Sequence, residues 1–137
     1  MNRRNFRLEV FKEVYFSGFY SQEDYEKQCE LYLTADESIS DDDRALLKER
    51  AKNVMSHVTE IDEMINSAAE GWKTTRMNKV DLAILRLAVF EIFFDDEIPD
   101  GVAINEAVEI AKEYGEDESY SFVNGILGNL AKKKEAK

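Results

Sequence analysis

The chain has one histidine and one cysteine, the residue types best suited to metal binding and nucleophilic catalysis. A di-iron carboxylate bundle requires Glu-x-x-His pairs on facing helices, but Val54 stands three residues before His57. A calcium loop read from Asp96 also fails, because Ile98 and Ala107 occupy positions that require oxygen ligands. One histidine and one cysteine do not make a zinc set, and no catalytic motif surrounds them. The sequence therefore predicts no metal, no cofactor and no enzymatic activity.

The cysteine and the apolar segments indicate the compartment. Cys29 has no partner for an internal disulfide, so we expect a small core residue in a reducing environment. No apolar run typical of a signal peptide follows the N-terminal arginines. The most apolar stretch, AILRLAVFEIFF, is interrupted by Arg86 and Glu91, which argues against a membrane span. We predict a cytoplasmic protein that does not associate with a membrane.

Three arginines at the start of the chain are the residues best suited to binding phosphate. Arg3 and Arg7 would lie one helical turn apart, with Arg4 beside them, so a helix here directs several guanidinium groups the same way. We predict that this turn forms a basic binding surface. The alternative is a solvated basic end with no ligand.

The net charge of −11 argues against nucleic acid, but the charge is unevenly distributed. Residues 1–12, 71–86 and 122–137 are net basic, whereas residues 13–70 and 87–121 are net acidic. Such banding favours a basic surface for one partner and an acidic surface for another.

Helices must position these residues, because the chain has one proline, six glycines and no alternating strand pattern. Ser21, Ser40 and Asn78, each with an aspartate three residues later, indicate helix starts. We predict an all-α fold of six to seven helices in a single domain, residues 1–137, with a frayed tail from about residue 132. The helices are expected at about 3–19, 21–36, 40–70 with a break near His57, 79–94, 99–115 and 119–131.

Three polar or aromatic residues have a structural and a functional interpretation. Asn105 lies at the edge of an apolar helical stripe, where an unpaired amide would cost about 1 to 3 kcal/mol if buried. We expect Asn105 and Asn124 to be structural, hydrogen-bonding across helix junctions, rather than RNA contacts. We expect Trp72 to anchor the core rather than stack on a base. The role of Glu106 stays open.

Four stretches together resemble the NusB family of bacterial transcription antitermination factors. They are WKTTRMNKVD from Trp72, ILRLA from Ile84, VAINEAVEIAKEYG from Val102 and FVNGIL from Phe122, in the order and spacing of the family. The resemblance spans about residues 72–127 strongly and the first helix weakly. It implies two packed helical subbundles without catalysis. It also implies binding of the boxA element of nascent RNA together with ribosomal protein NusE, within the transcription elongation complex that makes ribosomal RNA.

The resemblance also assigns roles by position. Arg4 and Arg7 match the arginine-rich helix start that contacts RNA, while Tyr15 and Asp81 match residues on the surface facing NusE. The first helix departs from the family pattern, because bulkier Phe6, Val10 and Phe11 replace its usual alanines. An acidic helical adaptor that binds only proteins is the main alternative, and a helical hydrolase is a distant one. The preferred RNA sequence and the choice between a monomer and a homodimer stay open.

Overall fold

The computed structural model describes residues 1–136, except for the side chain of Gln22. Helices and turns account for this part of the chain, in which no strand forms, so the predicted all-α fold is confirmed. The chain divides into two compact units, Met1–Ser56 and His57–Lys137. This division agrees with two helical subbundles, while a single domain spanning both units stays a prediction.

The first unit contains α1 (Arg3–Phe16), α2 (Gln22–Ala35) and α3 (Asp41–Ser56). Its helix starts follow the predicted caps: the Asp24 N–H donates to Ser21 Oγ at 3.3 Å, and the Asp43 N–H donates to Ser40 Oγ at 3.1 Å. α1 packs against both α2 and α3. The apolar residues buried within this unit are Val10, Phe11, Val14, Cys29, Leu33, Ile39, Leu47, Ala51 and Val54.

The second unit contains α4 (Val58–Ala68), α5 (Lys79–Phe94), α6 (Asp100–Tyr114) and α7 (Ser119–Glu135), with a 3-10 turn at Thr74–Arg76. α5 is buried on nearly all sides and packs against α4, α6 and α7, as expected for its almost continuous apolar sequence. The tight corner before α7 requires a glycine. A Cβ on Gly115 would lie 2.5 Å from the Cβ of Ser119 and 2.7 Å from the Ala111 carbonyl oxygen.

Helix boundaries differ from the sequence prediction in two places. α1 ends at Phe16 rather than near residue 19, and the Ser17 side chain donates to the Val14 carbonyl at 2.5 Å. The tail predicted to fray from residue 132 instead continues α7 to Glu135, because Lys134 Nζ donates to the Ile92 carbonyl at 2.7 Å and to Asp100 Oδ1 at 2.9 Å. Lys137 lies outside the described residues. The predicted break near His57 is confirmed, since α3 ends at residue 56 and α4 begins at residue 58.

An ion pair explains the arginine inside the apolar α5. Arg86 donates through Nε to Asp62 Oδ1 at 2.9 Å and through Nη2 to Asp62 Oδ2 at 2.8 Å. The two side chains are 15% and 23% exposed, so both charges are largely withdrawn from water. This two-point pairing links α4 to α5.

Replacing Asp62 by alanine should lower the free energy of unfolding by about 1 to 3 kcal/mol, because it leaves the Arg86 guanidinium largely buried without its carboxylate. Urea unfolding at neutral pH measures the change. Glu63→Ala is the matched control, since Glu63 is an exposed acid on the same helix and its removal should cost less than about 0.5 kcal/mol. Equal losses in the two variants would contradict the role of the ion pair.

Candidate nucleic-acid and protein interfaces

The arginine turn, defined as Arg3, Arg4 and Arg7, opens α1. Arg3 and Arg4 are exposed, and Arg7 is half-buried one turn after Arg3. The helix starts at the cap Asn2, whose side chain accepts from the Asn5 N–H at 2.8 Å, and its first turn has no acidic residue. Helix dipole and arginine charges therefore have the same sign at this end, which suits an anion such as phosphate.

Aromatic side chains gather at the other end of α1. The Tyr15 ring is half-buried and meets the Phe19 ring edge-on at 4.9 Å between centroids. Phe19 is 52% exposed and Tyr20 is 43% exposed. We call Tyr15, Phe19 and Tyr20 the aromatic edge. Exposed aromatic rings of this kind are typical anchors of protein interfaces.

The aromatic edge and the arginine turn are distinct surfaces of the first unit. Tyr15 lies twelve residues after Arg3. At 1.5 Å per residue this places Tyr15 about 18 Å from Arg3 and about 12 Å from Arg7 along the helix axis. One ligand of ordinary side-chain size cannot contact both, so separate ligands or one extended ligand would be required.

A cavity of about 990 Å³ opens in the second unit. We call it the acidic groove, because four carboxylates line it against the one cation of Arg76. The exposed acidic run at its rim joins the end of α6 to α7, and two aromatic rings from separate segments form part of its wall. Its lining residues that bear on binding are Trp72, Asn78, Asp81, Glu116, Asp117, Glu118 and Phe122.

Asp81 lies in the wall of the acidic groove and is only 6% exposed. Its N–H donates to Asn78 Oδ1 at 2.8 Å, and its Oδ2 accepts from Asn78 Nδ2 at 3.0 Å, so the pair caps α5 reciprocally. Its Oδ1 is buried and accepts no hydrogen bond among the described residues. A buried acceptor without a donor costs about 1 to 3 kcal/mol, which a donor entering the groove would recover.

Trp72 is not the core anchor that the sequence predicts. It is 58% exposed and meets the Phe122 ring edge-on at 6.4 Å between centroids. The reason is the turn that precedes it, in which Glu70 and Gly71 adopt positive φ angles of 41° and 92°. This left-handed turn ends α4 and leads the chain back over the surface. Trp72 and the acidic run are thus candidate binding residues, and the sequence indicated only the acidity of residues 87–121.

The structural role predicted for Asn105 and Asn124 requires that their side chains be buried, and the structure does not bury them. Both asparagines are exposed, so water can satisfy their amides. The helix junction is instead bridged by Asn129, whose Nδ2 donates to the Ala68 carbonyl at 3.4 Å. Asn129 follows FVNG by four positions and faces α4, which the periodicity of α7 could have indicated. Glu106 is half-buried.

Replacing Asn105 by leucine should change the free energy of unfolding by less than about 0.5 kcal/mol, because the exposed amide gives up only its contact with water. Asn129→Leu is the comparison, and it should cost about 1 kcal/mol by removing the hydrogen bond to Ala68. Urea unfolding of both variants measures the difference. A larger cost for Asn105→Leu than for Asn129→Leu would restore the structural role of Asn105.

The cysteine and the acidic side chains are candidate reactive or metal-binding groups among residues 1–136. Cys29 is buried, and this burial, followed by the charge of Glu13, raises the pKa of its thiol to about 11, so it is protonated at neutral pH. Residues 1–136 contain no group of three or more His, Cys, Asp or Glu side chains that could hold a metal ion. None of the helices in this part of the chain is long and apolar enough to cross a membrane.

The sequence of this chain is similar to those of known proteins. Residues 1–132 match the family model described as the NusB family. The transcription antitermination protein NusB of Agathobacter rectalis is 45% identical over 131 residues, which cover 96% of this chain and all of the relative. NusB of Finegoldia magna is 39% identical over 138 aligned residues, covering 98% and 97% of the two chains.

Solved structures share the same fold. T. maritima NusB superposes with a TM-score of 0.86 at 38% identity, covering 97% of this chain and 92% of that chain. A crystal structure of the antitermination factors NusB and NusE in complex with double-stranded RNA gives a TM-score of 0.74 at 24% identity, covering 96% of each chain. The latter likeness supports the fold alone.

Proposed function

Because the chain belongs to the NusB family, we propose that it is a transcription antitermination factor that binds boxA-type nascent RNA together with ribosomal protein NusE. The observation that carries the proposal is the family match across residues 1–132, a range that includes both the arginine turn and the acidic groove. The chain acts by binding, without catalysis, and supports transcription of ribosomal RNA.

RNA binds through the arginine turn. Arg3 and Arg4 are exposed and Arg7 is partly so, and the N-terminal end of α1 adds a positive helix dipole. Guanidinium groups pair with phosphate oxygens through two hydrogen bonds, which makes arginine better suited to this contact than lysine. Phosphate contacts supply affinity and fix the position of the RNA, while base contacts supply sequence preference.

NusE binds through the acidic groove and the aromatic edge. The groove offers four carboxylates, the exposed Trp72 and the unpaired Oδ1 of Asp81, a set that favours a cationic side chain of a basic protein. The aromatic edge offers Tyr15 and Phe19 as apolar contacts. The arginine turn is basic and the groove is acidic. The groove therefore repels RNA, and the arginine turn repels a basic protein.

The complex of this chain, NusE and RNA joins the transcription elongation complex in the cytoplasm. Antitermination acts on RNA as it is synthesised, so the chain must work beside the transcribing polymerase. Sedimentation of the free chain distinguishes a monomer from a homodimer.

A gel shift separates this proposal from an acidic adaptor that binds only proteins. The chain is titrated into a labelled single-stranded boxA RNA and into a scrambled RNA of equal length, each with and without NusE. We expect a shift of boxA RNA that is stronger than that of the scrambled RNA and is enhanced by NusE. Binding of NusE with no shift of either RNA would support the adaptor instead.

A further inference from the structure

Glu13 is a carboxyl group enclosed by the first unit without a hydrogen-bond partner. It lies on α1, it is 0% exposed, and neither of its side-chain oxygens accepts a hydrogen bond among the described residues. Two further polar groups lie close to it on α2. The Tyr25 hydroxyl is buried beside the Cys29 thiol, which is also buried. We call Glu13, Tyr25 and Cys29 the buried acid cluster.

The charges around Glu13 do not compensate a carboxylate. Glu9, one turn earlier on α1, repels a negative charge at Glu13, and the Tyr25 and Tyr32 hydroxyls and the Cys29 thiol on α2 are neutral at physiological pH. Lys48 on α3 is the cation that favours ionisation, but its ammonium pairs with Glu30 and is half-exposed. An ionised Glu13 would therefore be a charge within a packed interface, where its oxygens accept no hydrogen bond from the described residues.

We propose that Glu13 is a proton switch that controls how tightly α1 packs against α2 and α3. With a proton on Glu13 the carboxyl group is neutral and α1 packs closely. When the proton leaves, the carboxylate requires water or a donor, and α1 must loosen to admit one. Because α1 also carries the arginine turn and Tyr15, the switch regulates the surfaces on which the proposed function rests.

The direction of the pH dependence follows from the pKa of Glu13. Burial, and then the charge of Glu9, raise this pKa from 4.5 to about 7, while Lys48 lowers it. The folded chain consequently binds more protons than the unfolded chain between these two values. The contribution to stability is fully present below pH 4.5 and is lost as the pH rises through about 7. A pKa near neutrality means that small changes of pH around this value alter the protonation of Glu13.

Two measurements on the free chain test the switch without RNA. Carboxyl carbon NMR of the wild-type chain should show Glu13 titrating near pH 7 rather than near 4.5. Thermal melts at pH 5.5 and pH 8.5 should show that the wild type loses roughly 5 °C or more of melting temperature relative to Glu13→Gln, which cannot ionise. Glu49→Gln, an exposed acid on α3, is the matched control and should follow the wild type.

The outcomes separate the switch from the proposed function. Titration of Glu13 near 4.5, or an identical pH dependence in wild type and Glu13→Gln, overturns the switch. If Glu13→Gln fails to fold, the NMR titration of the wild type decides alone. RNA affinity of the wild type should fall relative to Glu13→Gln between pH 6 and pH 8.5, by about threefold or more if loosening weakens one phosphate contact. Absence of RNA binding at both pH values would refute the proposed function, and the NMR titration would then decide on the switch. Equal affinities of wild type and Glu13→Gln at both pH values would overturn the regulation of the binding surfaces.

Discussion

Replacing Arg4 and Arg7 together by alanine should weaken binding of boxA RNA by about tenfold or more at physiological salt. Each phosphate contact releases counterions, so removal of one such contact should reduce the slope of log affinity against log salt by about 0.7 on a single strand. Removal of both contacts therefore predicts a slope smaller by about 1.4. Fluorescence anisotropy at several salt concentrations measures both quantities. The affinities for boxA RNA and for scrambled RNA should fall alike, because phosphates carry no sequence information.

The control must separate specific contacts from the change in net charge. The double variant Lys27→Ala and Lys52→Ala removes the same charge from exposed positions of α2 and α3. It should leave the salt slope nearly unchanged. If the salt slope and the RNA affinity were unchanged in the arginine variant, Arg4 and Arg7 would be solvated residues at a helix end with no ligand.

Replacing Asp81 by lysine should weaken binding of NusE by roughly 30-fold or more, about 2 kcal/mol, because it places a cation where the groove is proposed to receive one. Asp81→Asn should weaken binding less, since it removes the charge but retains an oxygen that can accept from Asn78 Nδ2. Surface plasmon resonance with immobilised NusE measures affinity and rates. A contact buried in the groove changes mainly the dissociation rate, and a rim contact changes mainly the association rate.

Stability must be measured in parallel, because Asp81 also caps α5. Glu97→Lys is the matched control: it introduces the same charge change at an exposed residue that does not line the groove. It should bind NusE nearly as the wild type does. The role of Asp81 would be refuted if all three variants bound equally, or if weaker binding followed the loss of melting temperature alone.

The helices could be predicted from the sequence because their signals are local. Asn78 with Asp81 and Ser40 with Asp43 form the caps that their spacing indicates. The apolar run of α5 is buried as expected. The end of α7 could not be predicted in this way, because three successive lysines resemble a solvated tail. Only the folded chain shows that Lys134 donates to a carbonyl of α5 and to Asp100 of α6.

The candidate surfaces could be predicted only in part. The arginine turn follows directly from the spacing along one helix, whereas Tyr15 and Asp81 follow from family resemblance. The acidic groove depends on two segments far apart in sequence, the turn before α5 and the acidic run before α7. The exposure of Trp72 depends on the positive φ angles of Glu70 and Gly71, which the spacing of apolar residues does not predict. Glu13 escapes sequence reasoning for a similar reason, since only the packing of three helices buries it.

Joint binding of RNA and NusE is tested most directly by the coupling between the two partners. Isothermal titration calorimetry would measure the affinity of the chain for boxA RNA alone, and again with the chain saturated by NusE. We expect tighter RNA binding in the presence of NusE, and the reverse titration must then show the same factor for NusE in the presence of RNA. If NusE left the RNA affinity unchanged or lowered it, the chain would not be a factor that holds both partners together.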